Sequence, residues 1–476
     1  MRRAMLTLVA VGALTAAACG QKAGVAGTGS GDDSGDGGST ATTSAPTQTT
    51  APASTAPDAT TAPDGSTEPD GSTAPDGSTA PDSTTETTAA VPETGPFVPG
   101  DNDTAGVTDT EIVIGIHAPV TGASPIPQES FDVGKDVYWR FLAESAPDTL
   151  FGRTVRVVFR DDTFNPQRAV QVCREMVEQD GAFLLVGGGG ADQITACAQY
   201  ANENGIPYLS AGVNEVGLAE LDTYFSTSLT YAQQAPLIMA QLQTQGFTQA
   251  ALVVSDTPSF NDAFDALKAA AEEAGIGLVY ESRIPKELQQ AESESIIQQL
   301  KSSGAEAVIL LASPVAYVLN LAPGAAAQSY APVWIGPGIT SGLNTVAAIG
   351  CPSAGASIAG GEFFSPTPAL ASADEFDPDF NAAYSQIVGT EPPVDDVVLQ
   401  LWSLNKAIAL MLEATGPELG RAAFMNTLVT TEEFDNGIYT PLRYTVDDHF
   451  GGTGAYLLQT NCDLGAYETV DVFEGG

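Results

Sequence analysis

The feature that most constrains this chain is an alternation, from Glu111 onward, between apolar runs of strand length and segments of helical periodicity. The apolar runs are Ile112–Ala118, Val155–Phe159, Phe183–Val186, Ile206–Leu209, Ala250–Val254, Gly277–Tyr280, Ala307–Leu311 and Val333–Ile335. The helical segments between them lie at 129–144, 166–177, 192–204, 231–245, 259–274, 291–303 and 314–328. Strands that alternate with helices in this way form parallel sheets with helices on both faces. About eight such units exceed one comfortable sheet, so the sequence predicts an α/β protein with two Rossmann-like lobes.

The regular alternation ends after residue 357. Helices are predicted at 377–388, 395–414 and 417–428. Near the C-terminus, Leu442–Val446 and Gly454–Leu458 alternate in polarity around an Asp-Asp-His-Phe-Gly-Gly turn. This pattern predicts a closing β-pair.

The first 19 residues, MRRAMLTLVAVGALTAAAC, have the pattern of an export signal. Arg2 and Arg3 precede an apolar segment that is shorter than the roughly 20 residues of a membrane-spanning helix. The small residues that follow end in Cys19, which resembles the lipobox of bacterial lipoproteins, although Ala16 stands where Leu, Val or Ile is usual. We therefore expect a lipoprotein signal peptide at 1–19, lipidation of Cys19 and an extracytoplasmic protein held at the outer face of the cell membrane. An ordinary cleavage site with an unmodified cysteine is the alternative.

Residues 20–106 have a different composition, dominated by Ala, Thr, Ser, Gly, Pro and Asp, with Lys22 as the single basic residue. Hexads of the type PDGSTA repeat between residues 63 and 86 and contain no apolar position to bury, so they do not form a solenoid. We expect a disordered tether with a reach of about 50 Å, whose Ser and Thr residues are available to O-glycans. A low-complexity insertion without a tethering role is the alternative, and the position directly after the lipobox favours the tether.

The charge balance excludes several classes of partner. The chain has 59 acidic and 17 basic residues, for a formal net charge of −42. Nucleic acids and anionic membrane surfaces are bound by clustered Lys and Arg, so neither is an expected partner of the folded part. With two histidines in the chain, His117 and His449, a multi-histidine metal site is also excluded.

A glycine-rich run, FLLVGGGGAD at 183–192, follows a predicted strand and precedes a predicted helix. It matches neither the P-loop pattern nor G-x-G-x-x-G, so no nucleotide cofactor is expected. Its backbone N–H groups belong to a helix N-terminus at the carboxyl edge of a parallel sheet, where open α/β sheets bind ligands. Asp192 is expected there either to bind a cationic group or to cap the helix, and the two roles are compatible.

The sequence patterns of hydrolases are missing from the core. No G-x-S-x-G nucleophile elbow occurs. His117, at the end of the first strand, is expected to be a hydrogen-bonded structural residue, and His449, in a predicted turn, to be solvated. Neighbouring strand residues point to opposite faces, so the pairs Asp161-Asp162 and Asp395-Asp396 are poor catalytic dyads. The chain is therefore predicted not to be an enzyme.

Five cysteines occur, and lipidation of Cys19 leaves an even number in an exported protein. Three disulfide connectivities are possible. We expect Cys173–Cys197, on successive helices, and Cys351–Cys462, which would join the second lobe to the C-terminal β-pair. A zinc site of the four cysteines is the alternative, without a C-x-x-C spacing to support it.

Several segments in order resemble one family. They are EIVIGIHAPVTG (111–122), Gly134, VVFRDDTFNPQRAV (157–170), the strand–loop–helix–strand segment at 186–212 and LRYTVDDHFGGTGAYLLQ (442–459). They are similar to the periplasmic binding proteins of the branched-chain amino acid type, the substrate-binding subunits of ABC importers. The resemblance implies the type I fold of that group, two lobes that close on a ligand like a Venus flytrap. The expected first lobe comprises 107–230 and 362–440, and the expected second lobe comprises 231–361 and 441–476.

The resemblance also implies where the ligand lies. Members that bind amino acids hold the ligand carboxylate with a hydroxyl side chain in the loop after the third strand, where this chain has Ala191-Asp192. They use a Thr after the fourth strand, where Asn214 follows Gly212, and an acid in a Gly-Pro-acid motif, where Gly338 stands. The implied ligand-binding residues are Gly190, Ala191, Asp192, Gly212, Asn214, Phe260 and Gly338, with Pro127 at the place of another aromatic.

Because these hydroxyls and the acid are largely missing, free branched-chain amino acids are expected to bind weakly. Amides, neutral or aromatic compounds, or a cation paired with Asp192 fit better, unless Asp192 itself reaches the ammonium group of an amino acid. The expected function is a lipid-anchored solute-binding protein that delivers an amino acid, an amide or a related compound to an ABC permease. A ligand-sensing surface receptor, an α/β enzyme of the cell envelope and a structural surface protein are the alternatives.

Overall fold

The structure is a computed structural model that describes residues 102–211, 216–338, 343–392 and 395–474. The signal peptide, Cys19, most of the expected tether, Gly212 and Asn214 lie outside these residues. The described residues contain two sheets flanked by helices, so the predicted fold class is confirmed. Below, the first and second lobes are the parts of the chain built around the first and second sheets.

The first sheet is entirely parallel and has the order β2-β1-β3-β4-β5. Its strands are β1 Glu111–Ala118, β2 Thr154–Asp161, β3 Leu184–Gly187, β4 Tyr208–Ser210 and β5 Tyr224–Ser226. The helices between them are α1 Gln128–Ser145, α2 Pro166–Glu178, α3 Ala191–Glu203 and α4 Val216–Ala219. Helix α2 begins where the Asn165 side chain accepts hydrogen bonds from two backbone N–H groups and Pro166 occupies the first turn, both favoured start signals.

The second sheet has the order β12-β11-β10-β9-β8-β6-β7, antiparallel at β10-β11-β12 and parallel elsewhere. Its strands are β6 Gln249–Ser255, β7 Gly277–Ile284, β8 Ala307–Leu311, β9 Val333–Gly336, β10 Glu362–Ser365, β11 Gly454–Asn461 and β12 Ala466–Glu474. The accompanying helices are α5 Tyr231–Thr244, α6 Asn261–Ala274, α7 Gln290–Ser303, α8 Pro314–Ala316, α9 Ala322–Ala327 and α10 Leu343–Ala354, with a π-helical turn at Tyr317–Leu321.

The chain returns to the first lobe through α11 Ala373–Phe376, α12 Asp379–Ala383, α13 Val397–Thr415 and α14 Arg421–Thr430. Helix α13 packs against α1, where Trp402 contacts Tyr138 edge to face at 5.0 Å. Among the described helices, α13 alone is long and apolar enough to cross a membrane, but 78% of its apolar window is buried inside the protein. Its hydrophobicity is therefore that of a core helix.

The structure corrects two sequence predictions about which strands pair with each other. Strand β10 pairs with β9 and β11 in the second sheet, so a boundary that assigns it to the first lobe from residue 362 is wrong. The closing β-pair joins β11 to β12, whereas Leu442 forms a single bridge with Phe434. Both errors concern pairings between distant segments, which local alternation of polarity does not specify.

The chain crosses between the lobes where the segment after β5 meets the segment before β11. The backbone N–H of Ser226 donates to the carbonyl of His449 at 3.0 Å, and that of Gly451 donates to the carbonyl of Ser226 at 2.8 Å. A β-carbon at Gly452 would lie 2.2 Å from the carbonyl carbon of Ser228, so this close crossing requires glycine. His449 is 8% exposed and stacks on Phe225 at 4.4 Å, so the prediction that it is solvated is wrong.

Two disulfides are present. Cys173 on α2 is bonded to Cys197 on α3, with Cα atoms 6.1 Å apart. Cys351 on α10 is bonded to Cys462 in the turn between β11 and β12, with Cα atoms 5.2 Å apart. These are the two pairs expected from the sequence, and the second joins elements 111 residues apart in the chain.

Candidate functional site

A cleft of about 250 Å³ lies between the loops that follow the carboxyl ends of the two sheets. Ligand pockets in proteins typically enclose about 300–1,000 Å³, so this cleft is sized for a small organic molecule. Loops of open α/β sheets bind ligands at this edge because the helix N-termini and strand ends converge there. Residues of both lobes line it, so closure of the lobes sets its shape.

The walls of the cleft are largely apolar. The first lobe contributes Pro119, Pro125, Ile126, Pro127 and Phe164. The second lobe contributes residues from the end of β8, from the segment that follows it and from α10, among them Leu311, Pro314, Val318, Leu319, Val346 and Ile349. Leu319 is 56% exposed and Ile349 is 48% exposed, so apolar surface extends to the mouth of the cleft. Such surface is stabilised when a ligand with an apolar body covers it.

Sequence reasoning placed most of its residues at this cleft. Gly190, Ala191 and Asp192 at the N-terminus of α3, Phe260 before α6 and Gly338 after β9 all line it, as does Pro127. The ring of Phe260 meets that of Tyr231 edge to face at 5.8 Å, which holds it at the cleft wall. Gly212 and Asn214 lie outside the described residues, so their expected roles stay predictions.

Asp192 spans the cleft. Its Oδ1 accepts hydrogen bonds from Thr257 Oγ1 at 2.5 Å and Ser259 Oγ at 2.8 Å, and its Oδ2 accepts one from Lys286 Nζ at 2.7 Å. Asp192 belongs to the first lobe, and the three donors follow β6 and β7 of the second. The cap position of α3 is Gly190, so the expectation that Asp192 caps this helix is wrong, and its carboxylate instead joins the two lobes. We call Asp192, Thr257, Ser259 and Lys286 the cross-cleft cluster.

The cross-cleft cluster keeps Asp192 ionised. Burial raises the pKa of this carboxyl group, but the hydrogen bonds from Lys286, Thr257 and Ser259 outweigh burial, so the pKa lies below its ordinary value. Both carboxylate oxygens are occupied by protein donors. An incoming ammonium group would therefore compete with Lys286 for Asp192, which weighs against the idea that Asp192 restores amino-acid binding.

Lys286 makes a second contact across the cleft. Its Nζ lies 4.1 Å from the centre of the Phe164 ring, in the loop between β2 and α2 of the first lobe. An ammonium group over an aromatic face is attracted by the ring quadrupole. Lys286 therefore binds two elements of the opposite lobe at once.

A second polar contact joins the lobes near α10. Asp395 accepts hydrogen bonds from the Thr345 hydroxyl and, at 2.9 Å, from the backbone N–H of Val397. Asp396 accepts one from the backbone N–H of Asn344 at 3.0 Å. Burial raises the pKa of Asp395 above its ordinary value although the bonds from Thr345 and Val397 oppose this. The two acids precede α13 of the first lobe and hold the cleft-lining start of α10.

Gly338 has no room for a side chain. A β-carbon there would lie 2.1 Å from the carbonyl oxygen of Phe364 on β10, and the Gly338 N–H already donates to Gln234 Oε1 at 3.2 Å. With this backbone the position cannot carry the acid that the resemblance places there in amino-acid-binding members. The absence of that acid is thus supported by the packing of β9 and β10 as well as by the sequence.

His117 is a structural residue, as its position predicted. It is fully buried, and its two ring nitrogens lie 2.8 Å from Asp162 Oδ2 and 2.6 Å from Tyr208 Oη. Cys173 and Cys197 lie close by, but their sulfurs are bonded to each other, so this group offers no thiolate ligands to a metal.

Sequence reasoning missed several cleft residues, including Phe164, Ser255, Thr257 and Lys286. Ser255 ends β6, and Lys286 follows β7 by two residues. A usable signal existed, because residues just after parallel strands gather at the carboxyl edge of the sheet.

Comparison with known proteins agrees with this geometry. A family model described as "Periplasmic binding protein" matches residues 111–466. The Leu/Ile/Val-binding protein homolog 6 of Brucella abortus (strain 2308) is 26% identical over 231 residues, 46% of this chain and 58% of that protein. An "Amino acid binding protein" of Pseudomonas aeruginosa is 30% identical over 119 residues, 23% of this chain and 30% of its own. The chain thus matches less than two thirds of the length of these curated relatives.

Solved structures share the fold along most of the chain. A fatty acid ABC transporter substrate-binding protein from Thermomonospora curvata superposes with a TM-score of 0.67 at 21% identity, covering 78% of this chain and 95% of its own. A solute-binding protein from R. palustris in complex with 4-hydroxybenzoate superposes with a TM-score of 0.64 at 19% identity, covering 77% of this chain and 97% of its own. With the family match over 111–466, the chain belongs to the periplasmic binding protein family, of the branched-chain amino acid type.

Proposed function

We propose that this protein is an extracytoplasmic solute-binding protein of an ABC importer, which captures a small molecule between its two lobes and delivers it to a permease. The observation that carries the proposal is the cleft itself. It lies at the carboxyl edges of both sheets, and residues of both lobes line it. A ligand that touches both lobes stabilises the closed form by its differential contacts, which is the hinge closure expected of such a receptor.

The residues at and near the cleft favour a binding site over a catalytic site. Asp192, which lines the cleft, and Asp395, which contacts the cleft residue Thr345, both accept hydrogen bonds from protein groups. His117, the residue considered as a base, is buried between Asp162 and Tyr208. A catalytic site needs a nucleophile or base within reach of the substrate, and none of these groups is so placed.

Anchoring through the N-terminus completes the proposed function. The lipobox-like series before Cys19 supports attachment to the outer face of the membrane, and the low-complexity stretch at 20–106 supports a tether. With a reach of about 50 Å, such a tether keeps the lobes near the membrane and free to meet a permease.

The ligand is proposed to be small and largely apolar. The walls are mainly Pro, Leu, Ile, Val and Phe side chains, and Gly338 replaces the acid that would hold an ammonium group. Structures that share the fold include proteins in complex with 4-hydroxybenzoate and with benzoate, and a fatty acid transporter subunit. Curated relatives carry Leu/Ile/Val-binding and amino acid binding names, so amino acids and amides belong in the test as well.

A thermal-shift screen of the mature chain tests this function. The library contains amino acids, amides, short carboxylates, purines and aromatic acids, each at millimolar concentration. A ligand at 100 times its dissociation constant adds about 2.7 kcal/mol to the free energy of unfolding, so true ligands raise the melting temperature by several degrees. Phe260→Ala, at the cleft wall, should reduce the shift, whereas Lys268→Gln, on α6 outside the cleft, should not. A screen in which no compound of any class binds would overturn the proposal.

A further inference from the structure

The hydroxyl group of Ser255, at the cleft, has no hydrogen-bond partner among the residues that the structure describes. Ser255 ends β6, is 2% exposed and lines the cleft, and its Oγ makes no hydrogen bond within the described part of the chain. A buried hydroxyl group is costly unless it is hydrogen-bonded. A ligand atom that accepts a hydrogen bond would satisfy it, so Ser255 indicates a polar end of the ligand close to the second sheet.

Lys286 supplies further donors near Ser255, because Ser255 pairs with Ile284 of β7, two residues before Lys286. The ammonium group of Lys286 has three N–H donors, and its bond to Asp192 uses one. Across the cleft, α3 is a 13-residue helix whose cap, Gly190, supplies no side-chain acceptor to the first-turn N–H groups. The positive end of this helix favours negative charge nearby.

The carboxylates of Asp192 and Asp395, by contrast, already accept hydrogen bonds from protein groups. Both oxygens of Asp192 take hydrogen bonds from the cross-cleft cluster. Asp395 takes two bonds at the α10 side. A ligand ammonium group would therefore have to displace protein donors to reach either carboxylate, whereas a ligand carboxylate would meet donors that are ready to bind it.

The rest of the cleft accepts an apolar body. Phe164 and Ile126 of the first lobe face Leu311, Pro314 and Val318 of the second across the same space. A polar group at the far end of a ligand would be desolvated among these side chains without a partner. The cleft thus combines a small group of hydrogen-bond donors with walls that are otherwise apolar.

From this combination we infer that the ligand is an apolar monocarboxylate, aromatic or aliphatic, whose carboxylate accepts hydrogen bonds from Ser255 and Lys286 and whose body packs between Phe164 and the residues after β8. The inference rests on the proposed function and narrows it to one ligand class. Lys286 is shared between the ligand and Asp192, and the N-terminus of α3 offsets the second negative charge. Lys286 is then both a contact between the lobes and a residue that determines specificity.

Calorimetry of the mature chain with matched probes tests the ligand class. The probes are benzoate with benzamide, and hexanoate with hexanamide, which differ in charge while keeping the apolar body. We expect the preferred carboxylate to bind about 10- to 100-fold more tightly than its amide, as for hydrogen bonds to a charged group. Leucine, which adds an ammonium group to an apolar carboxylate, should bind more weakly than hexanoate.

Single-residue variants then test which side chains donate hydrogen bonds to the ligand carboxylate. Lys286→Gln should lower the ratio of carboxylate affinity to amide affinity about tenfold, and the ratio cancels any effect of the variant on lobe closure. Ser255→Ala should weaken carboxylate binding about tenfold, because the variant loses one hydrogen bond to a charged group. Lys268→Gln removes the same charge outside the cleft, where Lys268 pairs with Glu281, and should leave the ratio unchanged.

The results of these experiments distinguish an error in the inferred ligand class from an error in the proposed function. Equal binding of carboxylate and amide, tighter binding of leucine, or an unchanged ratio in Lys286→Gln would overturn the ligand class while leaving a solute-binding protein. Binding of compounds from another class alone, such as purines, would do the same. Failure of every probe and of the wider library would overturn the proposed function itself.

Discussion

The ammonium group of Lys286 lies 2.7 Å from the carboxylate of Asp192, and the two residues belong to opposite lobes. Lys286 also lies over Phe164, so a single side chain of the second lobe contacts two loops of the first. The pair therefore favours closure before any ligand enters. It also neutralises the acid at the position where a cationic ligand would otherwise find its partner.

Removing Asp192 should favour the open form. Asp192→Ala deletes the carboxylate that binds Lys286, Thr257 and Ser259, and hydrogen bonds to charged groups contribute about 1.5–3 kcal/mol each before screening by solvent. We expect a larger radius of gyration of the ligand-free chain by small-angle X-ray scattering. Glu281→Ala, which breaks the Lys268–Glu281 pair within the second lobe, is the control. Identical scattering of Asp192→Ala and wild type would show that the cluster does not bias closure.

Free leucine should bind weakly. The space at Gly338 excludes an acid, and Asp192 is already paired with Lys286, so the ammonium group of leucine would be poorly compensated. We expect a dissociation constant in the millimolar range, about −4 kcal/mol. Isothermal titration calorimetry measures it directly, and a micromolar constant would contradict this reading of the cleft.

Stability should depend on His449 at mildly acidic pH. Burial lowers the pKa of His449 from 6.5, although backbone groups of Leu221 and Tyr224 and the charges of Asp222 and Asp448 oppose this. The unfolded chain then binds the proton more tightly, so this contribution is complete above about pH 6.5 and is lost as the pH falls through the lower folded-state pKa.

Urea unfolding of wild type and His449→Gln between pH 7.5 and pH 5 checks this. The variant should be less stable at neutral pH, because it loses the stacking on Phe225, but its stability should fall less as the pH decreases. The difference between the two chains removes the contribution of the many carboxylates. Parallel curves would contradict the prediction.

Loss of Cys351–Cys462 should destabilise the second lobe. The bond closes a loop of 111 residues, against 24 for Cys173–Cys197, and longer loops gain more from cross-linking in the chain-entropy model. The double variant Cys351→Ser/Cys462→Ser should lose about 2–5 kcal/mol at most, measured by urea unfolding. Peptide mapping by mass spectrometry provides the control, and free thiols at these positions in the wild type would refute the pairing.

Cys19→Ala should abolish anchoring. If Cys19 carries the lipid, the variant is either released to the medium or left as an unprocessed precursor, which fractionation and immunoblotting distinguish from the wild type. A variant that is still processed and retained at the membrane like the wild type would remove the basis for lipidation at this residue.

The order of strands and helices was determined by the sequence alone. Strands β1, β2, β3, β6, β8 and β9 lie within a few residues of the apolar runs that predicted them, because a buried parallel strand must be a short apolar run. The cysteine pairs were also anticipated, because they lie on elements that the alternation places near each other. Short or non-local elements, such as Tyr224–Ser226 and the pairing of β11 with β12, escaped this reasoning.

The candidate site likewise has residues that the sequence indicated and contacts that only the tertiary structure shows. The resemblance and the strand ends indicated Gly190, Asp192, Phe260 and Gly338, since a loop after a parallel strand must reach the carboxyl edge of its sheet. Only the tertiary structure decided what Asp192 does. Its partner Lys286 is 94 residues away in the chain, and ion pairs across a cleft depend on how two lobes meet, which no local pattern encodes. For the same reason the burial of His449 and the unpartnered hydroxyl group of Ser255 emerged only from the folded chain.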